Sequence, residues 1–342
     1  MEEFKIQKDE LLTMLQKLKP GLAQKGIVEQ STHFMFLGKD IATFSDQIAV
    51  IHPFQTNSSF SVKGDEFYRI ISGADEGELT FSLENNQLTI ECEGTSAGMP
   101  TLIDDKDKVD KLVTMLKKEM KDWIALPDDF LQCCYLTMFS AAKDLSMGTL
   151  SCLFITGENI FSSDSIRASW SVMSEEMPEF LIPVKDVQEL VKFPNLAYYC
   201  MSDNWVHFKT EDGVTFSVKK VLGTFKNLTK RFAVEGESLE FPKELKEVLN
   251  SITFLADGDV DLNKVISIKI AKNKIICKAE KNTGWIEKKL DFKYKGAPLS
   301  FLINPIFLSQ VLDKTTSLTI APHAVLFQAE AFFHIIMLPI EE

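Results

Sequence analysis

The residues that most often carry out chemistry in proteins are spread thinly along this chain. The sequence contains no P-loop, no H-E-x-x-H and no G-x-S-x-G pattern. Its histidines lie far from one another, at His33, His52, His207, His323 and His334. The last of these falls inside the apolar run FFHIIM, which favours a core histidine over a catalytic base. We therefore expect no enzyme, and tight stoichiometric binding of a nucleotide or a metal would contradict this expectation.

Carboxylates and thiols lead to the same expectation. The pairs Asp104-Asp105 and Glu175-Glu176 stand in polar stretches, which are more typical of solvated loops than of a metal site. The six cysteines include no C-x-x-C pair and no pairing with histidine at ligand spacing; they are Cys92, Cys133, Cys134, Cys152, Cys200 and Cys277. We expect buried, reduced thiols and neither metal nor cofactor.

Composition limits the class of protein. At 342 residues, with 45% hydrophobic and 25% charged residues, the chain can build two or three globular domains. A net charge of −12 opposes general attraction to nucleic acid or to an anionic membrane, although an acidic total can hide a basic surface. The start, MEEFKIQKDE, is too polar for a signal peptide, and no run approaches the ~20 apolar residues of a membrane helix. We expect a cytoplasmic protein with no membrane partner.

One apolar pattern occurs three times along the chain. The stretches are SVKGDEFYRII (61–71), IPVKDVQELV (182–191) and INPIFLSQVL (303–312). In register, Phe67, Val187 and Leu308 coincide, at separations of 120 and 121 residues. Each stretch places apolar residues at i, i+3 and i+4, which predicts a short amphipathic helix.

A further helical segment precedes each copy. These segments are KDELLTMLQKL from Lys8, PDDFLQCCYLTMF from Pro127 and PKELKEVLNSITFL from Pro242. Proline is tolerated at the start of a helix, and the acidic residues beside it complement the helix dipole. Runs with strand character follow, such as ELTFSLENNQLTIECEG, which alternates around Asn85-Asn86 as a hairpin does.

These patterns predict an α+β fold of three repeated domains, each with two helices packed on antiparallel sheets. The expected domains are residues 1–121, 122–231 and 232–342. The segment 104–121, DDKDKVDKLVTMLKKEMK, falls outside the repeat and has apolar residues at helical spacing. We interpret it as a solvated helical connector at the end of the first domain.

The sequence resembles the bacterial sliding clamp, the beta subunit of DNA polymerase III, in a divergent or phage-like form. FKIQKDELLTMLQKLKPGLAQKG is similar to the first strand and pore-lining helix of that family, and FSSDSIRASW to its T-D-G-H-R-L-A segment. The closing MLPI stands where clamps have a Val-Met-Pro-Met type of ending. The similarity covers the whole chain and depends on the units, their order and the ending together.

The resemblance implies a homodimeric ring of six such domains around duplex DNA, contacted without regard to base sequence. It implies a DNA polymerase and a clamp loader as partners, and no catalysis. Basic residues near the predicted helices would contact the phosphates. The candidates are Lys8, Lys17, Lys19, Lys25, Lys63, Arg69, Lys143, Lys185 and Lys192, with Lys243, Lys246 and Lys314 in the last unit. Lys25 stands where the family commonly has an arginine on the DNA; for any single lysine, a solvated surface position is the alternative.

The resemblance also implies a groove that binds a short apolar peptide of the partner proteins. By position it would be lined by Thr149, Leu150, Ser163, Ser165, Ile166, Ala168, Met337, Leu338, Pro339 and Ile340. Ser165 and Ile166 replace the glycine and histidine of the family, so the backbone of that turn is in question. The ending Glu341-Glu342 predicts a more negative groove, and the motif that it accepts stays open.

A second interpretation is a non-catalytic α+β interaction or assembly protein that does not encircle DNA. The arrangement of charge separates the two, because a clamp requires the lysines of both helices in each unit to converge on one face.

Overall fold

The computed structural model describes residues 2–25, 29–56, 58–102 and 106–339. Within these ranges the helices are α1 (Lys8–Leu18), α2 (Gly64–Gly73), α3 (Lys106–Glu119), α4 (Phe130–Thr137), α5 (Val184–Leu190), α6 (Leu245–Ile252) and α7 (Pro305–Val311). The strands are β1 (Glu2–Gln7), β2 (His33–Leu37), β3 (Asp40–Phe44), β4 (Ile48–Pro53), β5 (Ser59–Lys63), β6 (Glu78–Glu84), β7 (Gln87–Cys92), β8 (Thr95–Pro100), β9 (Ile124–Ala125), β10 (Cys152–Ser163), β11 (Arg167–Pro183), β12 (Leu196–Met201), β13 (Trp205–Thr210), β14 (Thr215–Lys219), β15 (Glu237–Glu240), β16 (Ile266–Ala271), β17 (Lys274–Lys281), β18 (Gly284–Asp291), β19 (Leu299–Ile303), β20 (Ser317–Ala321), β21 (Ala324–Ala329) and β22 (Phe332–Met337).

The predicted repeat is confirmed in the order of the elements. In the first and last thirds, a strand and a helix precede four strands, a second helix and three strands. The middle third keeps both helices but replaces the four central strands with the long hairpin β10–β11. Every pairing between these strands is antiparallel, so the predicted α+β class is confirmed.

The chain divides into two compact units, each built from two segments. The first contains Met1–Asp128 and Lys185–Lys220, and the second contains Asp129–Val184 and Val221–Glu342. The predicted three-domain boundaries at 121 and 231 stay a prediction.

In the first unit, an eight-stranded sheet has the order β5-β2-β3-β4-β14-β13-β12-β9, and a four-stranded sheet has the order β1-β6-β7-β8. Phenylalanine fills the space between them: the rings of Phe4 and Phe81 stack at 4.7 Å, and those of Phe36 and Phe60 at 4.5 Å. The predicted turn at Asn85-Asn86 joins β6 to β7 with φ of 50° and 62°, values that asparagine tolerates.

In the second unit, a six-stranded sheet has the order β10-β11-β22-β21-β20-β15, and a four-stranded sheet has the order β18-β17-β16-β19. Helices α6 and α7 contact each other and bury their apolar faces in one core with residues of both sheets. The Asn304 side chain caps α7 by accepting the N–H groups of Ile306 and Phe307, and Pro305 occupies the first turn.

The segment between the first and second repeats is helical, as predicted, but it is not fully solvated. Val113 and Leu116 of α3 are buried, and Val113 and Met120 pack on Met35, Ala42 and Ile51 of the eight-stranded sheet. Lys117 also forms an ion pair with Asp40. The heptad-like spacing therefore marks a face that covers the sheet, while Met115 on the same helix is exposed.

Candidate functional site

A concave apolar site opens in the second unit, around a cavity of about 380 Å³. Its walls come from the 3-10 segment Leu145–Ser151, the turn before β11, the loop 221–228 with the 3-10 helix Thr229–Phe232, and β22. Seven predicted groove residues line this one cavity: Thr149, Leu150, Ser163, Ser165, Ile166, Ala168 and Met337. Segments that are distant in sequence thus meet at one site, as the resemblance implied.

The strand β22 and the residues after it divide between the groove and the core. Ile335 and Met337 line the cavity, whereas Ile336 and Leu338 are buried in the core of the opposite sheet face. Successive residues of an extended chain point to opposite sides, so Leu338 cannot share the groove with Met337. This corrects the expected position of Leu338, whose N–H donates to the His323 carbonyl at 2.9 Å.

The remaining two predicted tail residues do not extend this wall. Pro339 is exposed and is not among the residues that line the cavity. Ile340, together with the acidic ending Glu341-Glu342, lies outside the described residues.

The turn from Ser163 to Arg167 keeps a left-handed residue although it lacks glycine. Ser165 has a φ of 78°, a conformation that costs a residue with a side chain about 1–2 kcal/mol. The turn is held by hydrogen bonds: Asp164 Oδ1 accepts the N–H groups of Ile166 and Arg167 at 3.2 and 3.0 Å. Ser163 Oγ in addition donates to the Arg167 carbonyl at 2.8 Å.

Arg167 fastens this turn to the rest of the second unit. Its Nε donates to Asp164 Oδ2 at 2.9 Å, and its two Nη atoms donate to Gln310 Oε1 and to the Phe139 carbonyl. The guanidinium lies 4.0 Å from the centre of the Phe307 ring. Burial lowers the pKa of Arg167 and the Asp164 carboxylate opposes that shift, so the arginine stays a buried cation with one hydrogen bond from each of its three nitrogens.

Sequence reasoning missed one whole wall of the groove. Phe225, Lys226, Leu228 and Arg231 all line the cavity, and Phe225 and Leu228 also belong to the apolar core beside it. The apolar spacing of Phe225, Leu228 and Phe232 was the available signal. Lys226 and Arg231 place cations on this wall, and neither has an ion pair within the described part of the chain. The expected negative charge of Glu341-Glu342 lies outside the described residues and stays a prediction.

His334 is a core histidine, as predicted. Its Nδ1 lies 2.8 Å from Ser169 Oγ, which in turn is 2.6 Å from Ser140 Oγ. All three side chains are buried, and burial holds the pKa of His334 well below its ordinary value. A serine–histidine contact without access for a substrate does not form a hydrolase site.

The predicted basic residues of the first unit fall into three groups. Lys8 is only 7% exposed, and its Nζ donates to the Ala74 carbonyl and to Glu76, both at 2.7 Å. A buried, paired ammonium group is unsuited to a phosphate, so we omit Lys8 from the DNA surface proposed below. Three others have polar partners but reach solvent: Lys17 with Asp212, Lys63 with Thr32 and Lys192 with Glu189.

The other four predicted basic residues of that unit are exposed. They are Lys19, Lys25, Arg69 and Lys185, and none has an ion pair among the residues that the structure describes. Helices α1 and α2 contact each other, and Lys19 Nζ lies 4.8 Å from the ring centre of Tyr68. The structure thus brings Lys19 to the second helix, and it brings Lys25 and Lys185 to the edge of one cavity.

In the second unit, Lys143 and Lys243 are exposed, while Lys246 pairs with Asp313. Lys314 Nζ lies 3.4 Å above the ring of Tyr135. Among the described residues, no group of three or more histidines, cysteines or carboxylates is arranged to hold a metal ion. Nor does any described helix combine the length and apolarity needed to span a bilayer.

Comparisons with known proteins agree on one fold. No family model and no curated protein matches the sequence. Among solved structures, the beta subunit of the DNA polymerase of Streptococcus pyogenes has a TM-score of 0.83 at 16% identity, covering 98% of this chain and 99% of that one. The DNA polymerase III beta subunit of Thermotoga maritima has a TM-score of 0.80 at 17% identity, with full coverage of both chains.

The DnaN sliding clamp of Pseudomonas aeruginosa, solved bound to griselimycin, has a TM-score of 0.85 at 14% identity over 99% of this chain and 100% of that one. The low identity and the near-complete coverage together indicate that this chain and these proteins share one fold with very different sequences. The chain therefore has the fold of the DNA polymerase III beta subunits, the sliding-clamp fold.

Proposed function

We propose that this protein is a DNA sliding clamp: two copies form a ring around duplex DNA, and an apolar groove tethers a DNA polymerase and a clamp loader. It acts as a processivity factor and not as an enzyme. A closed ring holds a polymerase on DNA by topology, so its contacts with DNA can stay weak enough to slide.

The observation that carries this proposal is the pattern of sheet edges. In the first unit, β4 of the first repeat pairs with β14 of the second, from Ile48–Val218 to Ile51–Thr215. In the second unit, β11 of the second repeat pairs with β22 of the third in the same way. At both junctions, an edge strand of one repeat therefore pairs with the last strand of the next repeat.

Two edges of the same kind remain within the described chain. The last strand of the first repeat, β8, ends the order β1-β6-β7-β8, and β18 of the third repeat ends the order β18-β17-β16-β19. By position in the repeat, β8 corresponds to β14 and β18 to β4. Unpaired edges invite pairing with another chain. Antiparallel pairing of β18 with β8 of a second copy would rebuild an eight-stranded sheet and, made twice, would close a ring.

Exposed apolar side chains support an interface at β18. Trp285 on this strand is 63% exposed. Phe254, in a 3-10 helix that contacts β18, is 67% exposed. Large apolar side chains of this kind commonly mark a protein interface, and aromatic residues contribute much of the binding energy there.

Contacts with DNA are assigned to the exposed cations beside the helix pairs. Lys19, Lys25, Arg69 and Lys185 of the first unit, with Lys143 and Lys243 of the second, are free to approach phosphates. Lys17, Lys63 and Lys192 could exchange their exposed partners for phosphate. Such contacts are independent of base sequence and weaken steeply with salt.

The groove is assigned to a short apolar peptide of the partner proteins. Burial of a leucine or phenylalanine side chain against Ile166, Ala168 and Met337 would contribute ~1.5–3 kcal/mol. An affinity built from two or three such anchors suits partners that must exchange.

A comparison of circular and linear DNA tests the ring. The protein is diluted with a nicked plasmid to a concentration at which subunits separate, and it is then reconcentrated and passed over a sizing column at 0.15 M salt. We expect retention on the circle and loss after a single cut, because a ring slides off free ends. Equal retention on both forms would instead favour an interaction protein that does not encircle DNA.

A second experiment tests the groove. Fluorescent pentapeptides containing leucine and phenylalanine, and griselimycin, are titrated against the protein and against Ile166→Asp. The carboxylate places a charge against the apolar anchor, and we expect at least a tenfold loss of affinity. Equal binding to both proteins would contradict the assignment of the groove.

A further inference from the structure

The first unit contains a second cavity, of about 370 Å³, from which the proposed function uses only the exposed Lys25 and Lys185 at its edge. It lies among the segment after α1, the turn before β4 and the start of α5. Pro20, Ser45, Ile48, Asp186 and Glu189 are among its lining residues.

The repeat relates this cavity to the surroundings of Arg167 in the second unit. Ser45 Oγ accepts the N–H groups of Gln47 and Ile48 at 3.4 and 3.1 Å, as Asp164 Oδ1 accepts those of Ile166 and Arg167. The Lys219 N–H donates to the Gln47 carbonyl, and the Met337 N–H donates to the Ile166 carbonyl. Ile48 therefore occupies the position of Arg167, and Ser45 that of Asp164.

The other walls correspond as well. The Thr43 hydroxyl donates to the Leu18 carbonyl and the Ser162 hydroxyl to the Thr137 carbonyl, so Pro20 takes the place of Phe139. The alignment of α5 with α7, in which Val187 matches Leu308, places Asp186 at Phe307 and Glu189 at Gln310. All five groups that surround or form the Arg167 site have their counterparts on this cavity.

The two sites differ in what fills them. In the second unit, the guanidinium of Arg167 reaches acceptors on Asp164, Gln310 and Phe139. In the first unit, the shorter Ile48 side chain carries no donor, and the cavity remains where the guanidinium would lie. On the helix side, carboxylates replace the ring of Phe307 and the amide of Gln310: these carboxylates are Asp186 and Glu189.

Asp186 is the group that most requires a partner. It is 2% exposed, and its Oδ2 has no hydrogen-bond partner within the described part of the chain. A buried carboxylate oxygen without a donor is costly, and a native structure keeps one only where something else satisfies it. Asp186 is also among the residues that line the cavity, so a donor in the cavity would lie close to this carboxylate.

We propose that this cavity binds the guanidinium group of an arginine side chain supplied by a protein partner. Asp186 accepts its N–H groups together with Glu189, which also accepts from the exposed Lys192 Nζ at 2.7 Å. The two carboxylates stand in the place where Phe307 and Gln310 surround Arg167, and the fork of a guanidinium suits carboxylate acceptors. Asp46, also on the cavity, adds negative charge. The occupant does in the first unit what Arg167 does internally in the second.

Charged groups around Asp186 set the pH dependence of this binding. Burial raises the pKa of Asp186 to about 6; Lys185 opposes this shift and Glu189 adds to it. Lys25 and Lys185 also border the cavity, but both are exposed and can turn their ammonium groups to solvent. A guanidinium prefers the ionised carboxylate, so binding lowers this pKa and weakens as the pH falls below about 6.

The test uses arginine amide as the probe and citrulline amide, its neutral isostere, as the control. Carboxyl NMR of the full-length protein follows Asp186 during each titration. We expect arginine amide to lower the pKa of Asp186 and citrulline amide to leave it unchanged. Asp186→Asn should bind arginine amide about tenfold more weakly, the loss expected for one charge-assisted hydrogen bond.

A second variant tests the site independently of Asp186→Asn, by supplying the missing guanidinium from the chain itself. Ile48→Arg with Ser45→Asp reproduces the residues of the second repeat, so its own guanidinium should fill the cavity and block the probe. Equal responses to the two amides, or undiminished binding by Asp186→Asn, would overturn the site. Binding of arginine amide without binding of acetyl-Gly-Arg-Gly-amide would overturn its assignment to a protein side chain.

Discussion

Replacement of Arg167 by isoleucine tests how the groove turn is held. Isoleucine is the residue that the first repeat has at this position, so the backbone conformation is compatible with it. The substitution removes the donors to Asp164, Gln310 and the Phe139 carbonyl together. It leaves Asp164, a 5% exposed carboxylate, without its cation. Breaking a buried ion pair from one side costs ~3–5 kcal/mol, and we expect the unfolding free energy of the second unit to fall by that amount.

The double variant Asp164→Ser with Arg167→Ile separates the charge from the packing. It installs both residues of the first repeat, and the serine hydroxyl can still accept the two turn N–H groups as Ser45 does. Since no unpaired carboxylate remains, it should be more stable than the single variant by ~1–3 kcal/mol, the range of coupling between residues in contact.

Hydrogen exchange of the amides of β11 and β22, measured at increasing urea concentration, gives the local unfolding free energy of both variants. This measurement does not assume that the whole chain unfolds in one step. The groove should weaken in parallel, because Ile166 and Ala168 flank the substituted residue. A cost below 1 kcal/mol for the single variant, or a double variant less stable than the single one, would refute the role given to Arg167.

Three further predictions concern the interface, the groove loop and pH. Phe254→Asp should convert the dimer to monomer in light scattering, whereas Met115→Asp, an equally exposed apolar residue on α3, should stay dimeric; loss of the dimer in both would contradict the β18 interface. Gly223→Ala should lower peptide affinity and stability by ~1–3 kcal/mol, because its φ of 153° suits glycine and the new Cβ would lie 2.6 Å from a threonine methyl group; Gly73→Ala, which meets nothing within 4 Å, is the neutral control. Burial lowers the pKa of His207 to about 4. Between pH 6.5 and 4 the unfolded chain therefore protonates this histidine and the folded protein does not, so the unfolding free energy decreases by ~1.4 kcal/mol for each unit by which the pH falls. His207→Asn should reduce the dependence of the unfolding free energy on pH, measured by urea titrations at several pH values. An unchanged pH dependence would contradict the assignment of this effect to His207.

Much of the fold could be read from apolar spacing. The pattern at Phe67, Val187 and Leu308 predicted the second helix of each repeat, because an amphipathic face must follow the 3.6-residue period wherever it packs on a sheet. The same reasoning could not show that Val113 of α3 and the following Met120 cover a sheet. An apolar stripe indicates that something is buried without naming the partner.

The groove was predictable only in part for a similar reason. Its turn and Met337 could be placed by resemblance, but the loop around Phe225 lies in an irregular segment where the spacing of Phe225, Leu228 and Phe232 was the only signal. Leu338 was placed wrongly because a sequence position near the groove says nothing about side-chain direction, which alternates along an extended chain. Lys8 could not be placed from sequence either, because a lysine at a helix start can be buried when a carbonyl and a carboxylate from residues far along the sequence pair with it.

The repeat itself explains why one scaffold can carry two different sites. The same space is enclosed at each junction between repeats, by a turn, a segment after the first helix and the start of the second helix. The side chain of the residue after the turn determines whether this space is filled or remains a cavity. Arg167 fills that space from within and thereby fixes the turn beside an open apolar groove. Ile48 leaves the equivalent space empty beside a buried carboxylate. The hydrogen bonds of the two turns correspond, although Ser165 is left-handed and its counterpart Asp46 is not. Exchanging Ser45 and Ile48 with Asp164 and Arg167 should therefore fill the space at the first junction and open it at the second.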